Sequence, residues 1–188
     1  VAGVSSAFAE GLGALVGMPS IRVPVLVALF TLLALVNMRG IEQGTRVVVI
    51  ASVAKLLPLV LFVAIGAFFV QPANLAIHEM PSASSLARAA IVLTFAFSGV
   101  ETALVPSGEV KDPARTVPKA LAIAMTGVTL LYLLVHLVAA GTLGPSLATA
   151  TTAPLAMAAE GFMGAPGRVL LLVGASISMF GYVSGMTL

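Results

Sequence analysis

Apolar residues occupy the chain in blocks too long and too continuous for the helices of a water-soluble protein, and polar residues collect between the blocks. A bilayer hydrocarbon core about 30 Å thick takes about 20 mostly apolar residues per helix. By that measure the pattern predicts five full spans, roughly 21–38, 47–70, 86–108, 120–143 and 168–188, and a partial one at 1–17. Breaker and turn residues fill the connections: Met18-Pro19-Ser20, Asn37 to Gly44, Gln71 to Ser85 and Lys111 to Pro118. A further stretch, TAPLAMAAEGFMG at 152–164, is too short to span and partly amphipathic, which predicts an interfacial helix capping an outer vestibule. Strand-length alternation is missing, and only helices or closed barrels can cross lipid, so the predicted fold is all-α: one polytopic transmembrane helical bundle over 1–188.

Composition fixes the solvent. Hydrophobic residues make up 60% of the chain and charged residues 9%, against about 25% charged in a soluble domain. With a mean hydropathy of +1.15 this is the composition of an integral, multi-pass protein whose first partner is the bilayer, expected in the cytoplasmic (inner or plasma) membrane. The net charge is only +2, which points away from nucleic acid. There is no cysteine, and hence no disulfide framework, thiolate zinc site or thiol nucleophile. Val1 opens in apolar sequence with no charged leader region, so no signal peptide is expected. The absent Met start and the apolar end at Leu188 lead us to expect a fragment.

Orientation follows from the basic residues. Arg39, Arg46, Lys111, Arg115 and Lys119 sit in the connections after the second and fourth full or partial spans, so residues 39–46 and 111–119 are expected on the cytoplasmic side and 71–85 and 144–167 outside. The span beginning at Leu86 then runs inward, and it contains Ser98-Gly99, Glu101 and Pro106. Glycine loosens a helix, proline removes an N–H, and a carboxylate inside a span costs about 2.5–3.5 kcal/mol on insertion scales unless it meets a cavity or partner. Irregular backbone at membrane depth survives only where protein or a water-filled cavity receives it. Phe97-Ser98-Gly99-Val100 is therefore a candidate helix break, with simple close packing of Gly99 as the alternative.

Lys55 is the second intramembrane ionisable group, eight residues past Val47 and so about 12 Å from the cytoplasmic end of its span. Glu101 lies about 22 Å in from Leu86, at a similar depth from the inside. Pro58 leaves the Ala54 carbonyl without its usual donor beside Lys55. An amine there can exchange a proton with a cavity; snorkelling to the headgroups is the competing reading. His136 is a lone histidine in LYLLVHLVAA and reads as packing or as a proton relay. His78-Glu79 is too sparse for a metal, no metal or other cofactor is called for, and no phosphate-binding glycine loop supports direct ATP drive. Gly13-x-x-x-Gly17 and Gly181-x-x-x-Gly185 suit close helix packing.

Three segments carry a family resemblance. FAFSGVETALVPSGEVKDPARTVPKAL resembles the sixth helix and following loop of the amino acid–polyamine–organocation transporters, with the Phe-x-Gly-x-Glu core at Phe97, Gly99 and Glu101 and the proline-bearing tail at Glu109, Pro113 and Pro118. VNMRGIEQGTRVVVIASVAKLLPLVLFVAIGAF is similar to that family's fourth-to-fifth helix junction, with Asn37, Gly40 and Lys55-Leu56-Leu57-Pro58, and GASISMFGYVSGMTL resembles its eighth helix. The resemblance implies part of an inverted five-plus-five helix repeat with an amino acid held between the broken first and sixth helices. Main-chain groups of Phe95, Ala96, Phe97, Ser98 and Gly99 would receive the ammonium, Phe95 would gate the site, and Glu101 would assist proton or conformational coupling. Lys55 would stand where some relatives use a lysine in place of a sodium ion, facing Ser176 and Ser178. The first and second helices of the family, and those after the eighth, fall outside the resemblance, and half of the implied site with them. Met186 stands where arginine/agmatine antiporters carry an aromatic, which argues against a guanidinium substrate.

The expected function is secondary transport of amino acids or related amines, coupled to protons or to exchange, by alternating access and without enzymatic chemistry. Two other classes stay open at this point: an accessory helical bundle, in which Lys55 and Glu101 are dispensable, and an intramembrane enzyme using Glu101 or His136. A homo-oligomer is compatible with the sequence.

Overall fold

A computed structural model describes residues 1–38, 41–76, 80–97, 110–150 and 153–187. These residues form α1 (Ala2–Val16), α2 (Arg22–Met38), α3 (Ile41–Gly66), α4 (Ala83–Ala96), α5 (Pro113–Leu143) and α6 (Pro154–Thr187), joined in part by short 3-10 turns, with no strand among them. Among the described residues, three stretches, Val49–Phe69, Pro113–Thr149 and Pro154–Met186, are long and apolar enough to cross a membrane. Their outward residues confirm the solvent: Val53, Leu57, Ile123 and Leu133 are each 60% exposed or more, which only lipid or further helices can cover. The protein is an integral membrane protein of the all-α class.

The chain divides into two compact units, Val1–Asn74 with Leu137–Leu188, and Leu75–His136. In the first, α1 stops where Gly17 turns left-handed (φ 73°), and the Gly17 and Met18 amides both donate to the Gly13 carbonyl. This is the usual glycine stop, and Pro19 then prevents the helix from resuming. Arg22, at the start of α2, reaches back to Glu10 at 3.3 Å and Ser6 at 3.1 Å on α1. Leu29 and Leu33 of α2 are buried against Val183 of α6, with Val4, Phe8 and Phe180 packed around them.

The most extensive packing in this unit is between α3 and α6. A methyl built on Gly181 would stand 3.0 Å from Ala51, and one on Gly174 would stand 2.7 Å from the ring of Pro58. Seven residues along α3 thus match seven back along α6, so the helices run antiparallel with backbones as close as glycine permits. At the other end of α3, Phe162 stacks on Phe69 and meets Phe62 at a tilt of 50°, with ring centroids 5.5 Å from each. Asn74 donates to the Gly141 carbonyl at 2.9 Å and ties the turn after α3 to the end of α5.

Within α6, Gly164 has φ 68° and ψ −162°, so the element is two helical segments meeting at an elbow. The ten residues Pro154–Met163 form the first and the run from Ala165 the second. In the second unit, α5 begins at Pro113, earlier than the apolar span expected from residue 120. Hydropathy sees only the part of a helix that lies in lipid. Proline is well suited to a first turn, and the Asp112 carbonyl takes the amides of Arg115 and Thr116, so the helix extends through the basic segment before it enters apolar sequence.

Candidate functional site

The residues singled out by sequence fall in both units, and each unit is described by itself. On α3, Ala51, Lys55, Pro58 and Phe62 follow one another at helical spacing of four, three and four residues, so they share one face. Ala51, Pro58 and Phe62 are buried, and Ala51 and Pro58 meet α6. Lys55 is the one charged member of this stripe and is half-buried. Among the described residues it has no hydrogen-bond or ion-pair partner. Pro58, three residues on, cannot donate to the Ala54 carbonyl, so a polar acceptor lies next to the amine in the chain.

The opposing stripe of α6 runs Gly174, Ser178, Gly181 at the same spacing, with Ser178 half-buried. Interpolating between the Ala51–Gly181 and Pro58–Gly174 contacts puts Lys55 and Ser178 within about a residue of the same level. Ser176 is two positions earlier, about 200° around the helix, and its buried hydroxyl donates to the Leu172 carbonyl at 3.0 Å. Of the two serines, only Ser178 shares the face that meets α3.

In the second unit, Ser82 caps α4 by accepting the Ser85 amide at 3.2 Å, and the helix ends 14 residues later at Ala96. Phe95 belongs to this helix and Phe97 to the turn that follows. Ser98, Gly99 and Glu101 lie outside the described residues, as do Pro106, Glu109 and the His78-Glu79 pair. A helix end leaves its last carbonyls without donors. That of Ala96 receives the hydroxyl of Tyr132, on α5, at 3.3 Å. The Tyr132 ring also meets Phe97 edge-on, with centroids 5.7 Å apart and planes at 63°. One turn further along α5, His136 Nδ1 lies 3.2 Å from the Tyr132 carbonyl.

Sequence reading passed over Tyr132. Its signal was a phenol in an otherwise apolar helix: a hydroxyl at membrane depth needs a partner, and tyrosine is readily counted as apolar bulk. Among the described residues no cluster of three or more His, Cys, Asp or Glu could hold a metal.

These features define a polytopic α-helical membrane protein with a tightly packed antiparallel pair, one lysine set into its seam, and a short helix whose last carbonyl is held from a neighbour. The chain belongs to the amino acid permease family, whose profile matches residues 1–188 throughout. It is 35% identical over 137 residues to an uncharacterised transporter of Mycobacterium bovis, covering 71% of this chain and 31% of that protein. It is 28% identical over 142 residues to the cadaverine/lysine antiporter of Escherichia coli K12, covering 73% and 32%. To the serine/threonine exchanger of Bacillus subtilis it is 28% identical over 165 residues, covering 83% and 36%. The chain thus spans about a third of the length of these relatives. All three carry names for transport rather than for a chemical conversion.

Proposed function

We propose that the protein of which these residues form part carries amino acids or related amines across the cytoplasmic membrane by alternating access around the end of α4. The observation that carries the reading is the length of that helix. Fourteen residues reach about 21 Å, short of the roughly 30 Å hydrocarbon core, in a chain of the amino acid permease family. A helix that stops at depth exposes carbonyls, and carbonyls are the natural acceptors for a substrate ammonium. The backbone of Phe95, Ala96 and Phe97, continuing to Ser98 and Gly99, forms the acceptor side of the site, and the Phe95 ring serves as its gate.

Lys55 is the proton-coupling group and Glu101 its functional counterpart. Support for Lys55 is its position: a flexible amine in the seam of two packed helices, level with the Ser178 hydroxyl and unpaired among the described residues. A charge in such a seam favours a different packing from a neutral amine, which is the differential interaction that coupling requires. The Pro154–Met163 segment lies along the outer membrane interface.

Reconstitution of the full-length protein tests the reading. Uptake of labelled lysine, serine or leucine into proteoliposomes is expected for at least one of the three, and to increase with an imposed inward proton gradient or with internal amino acid. Lys55→Ala is expected to remove the gradient dependence and to lower uptake at least tenfold, while exchange without a gradient persists at a lower rate. No uptake or exchange of any of them by the folded wild type would return the chain to the class of accessory bundles. Unchanged proton dependence in the variant would take the coupling role from Lys55.

A further inference from the structure

We infer that Tyr132 is a positioning residue of the substrate site: it pins the free end of α4 through the Ala96 carbonyl and thereby sets the direction in which that backbone meets a substrate amine. The inference rests on the reading that the end of α4 is the acceptor side of the site. Two independent contacts converge on it. The Tyr132 hydroxyl donates to the Ala96 carbonyl at 3.3 Å, and its ring meets the Phe97 ring edge-on at 5.7 Å. One side chain from α5 therefore restrains two consecutive residues at the point where α4 ceases to be helical.

The physical need is clear. Ala96 is the last residue of α4, and the last carbonyls of a helix look beyond its own amides for donors. In lipid an unsatisfied carbonyl is costly, and water able to satisfy it would compete with a substrate for the same acceptor. A carbonyl oxygen has two lone pairs, so it can accept the phenol and an ammonium together. The phenol bond is long for an O–H donor, and so holds the carbonyl without saturating it. The edge-on contact of Phe97 limits rotation of the turn. Tyr132 is itself held in a regular part of α5, where the His136 ring bonds its carbonyl at 3.2 Å, so the pin is anchored in a rigid element. Preorganising an acceptor lowers the ordering cost of binding, and that appears in affinity for the group it receives.

The experiment uses the full-length protein and three forms: wild type, Tyr132→Phe and Tyr132→Ala. Tyr132→Phe keeps the ring against Phe97 and removes only the donor. Two quantities are read. The first is amide hydrogen exchange of the peptide covering 86–97, which reports the pin without reference to any substrate. The second is KM and kcat for whichever of lysine, serine and leucine the wild type takes up. In Tyr132→Phe, faster exchange toward the end of α4 and a KM raised about fivefold at nearly constant kcat are expected. Tyr132→Ala, which also loses the ring contact, is expected to go further in both. Unchanged exchange in Tyr132→Phe overturns the pin. Faster exchange with an unchanged KM overturns its place in the site. A wild type that takes up none of the three amino acids defeats the transport reading instead, and the exchange result then still decides whether Tyr132 holds α4.

Discussion

Gly174 and Pro58 show what a single residue decides here. The ring of Pro58 cannot rotate away, so a methyl at Gly174, 2.7 Å from Cγ and 2.9 Å from Cβ, forces the backbones of α3 and α6 apart. Gly174→Ala is expected to destabilise the protein by about 1–3 kcal/mol, read as a lower thermal midpoint in detergent. Gly127, in the interior of α5, meets nothing within 4 Å, and Gly127→Ala is expected to be neutral or to stabilise by about 0.5–1 kcal/mol. Equal effects of the two would contradict the packing described. Residues of this kind were unevenly legible. Lys55 stood out because a charge within an apolar run has few bland explanations, and the structure then put it on the face shared with Ala51 and Pro58. Gly174 did not stand out, because a glycine declares close packing only when its neighbour is known. Tyr132 was hidden by its own chemistry, its apolar ring concealing the hydroxyl that mattered.

At the scale of elements, the elbow in α6 is held by the one residue type able to hold it. Gly164 at φ 68°, ψ −162° occupies a region closed to side chains. Glu160 and Arg168 pair across it at 3.3 Å, but both are largely exposed, and such pairs contribute little. Gly164→Ala is therefore expected to cost about 1–3 kcal/mol and to shift the Pro154–Met163 segment, whereas Glu160→Gln changes stability by less than about 1 kcal/mol. Thermal unfolding of the two variants in the full-length protein checks the ordering, and the reverse order would mean that the ion pair, not the glycine, sets the elbow. The helical class was readable from apolar run length because lipid imposes that length. Helix starts were less so: α5 extends back to Pro113 through Arg115 and Lys119, where proline and the Asp112 carbonyl set the first turn rather than hydropathy.

For the molecule as a whole, membrane residence was legible in composition, since 9% charge leaves no water-soluble alternative, and the all-α class in the length of the apolar runs. The family followed from three motifs in order. What could not be read was how a polar group at one helix end is answered from another helix, because hydrogen-bond partners 36 residues apart, such as Tyr132 and Ala96, leave no joint mark on the sequence. Alternating access makes a demand on the whole protein that no packing bundle meets: the end of α4 must face water on each side of the membrane in turn. The 188 residues contain no cysteine, so Ala96→Cys in the full-length protein offers a thiol at that point once any cysteines elsewhere are replaced. We expect a membrane-impermeant thiol reagent to modify it from outside and, in inverted vesicles, from inside, and a transported amino acid to slow both reactions. A thiol that reacts from one side only, or at a rate no amino acid alters, would contradict transport around the end of α4.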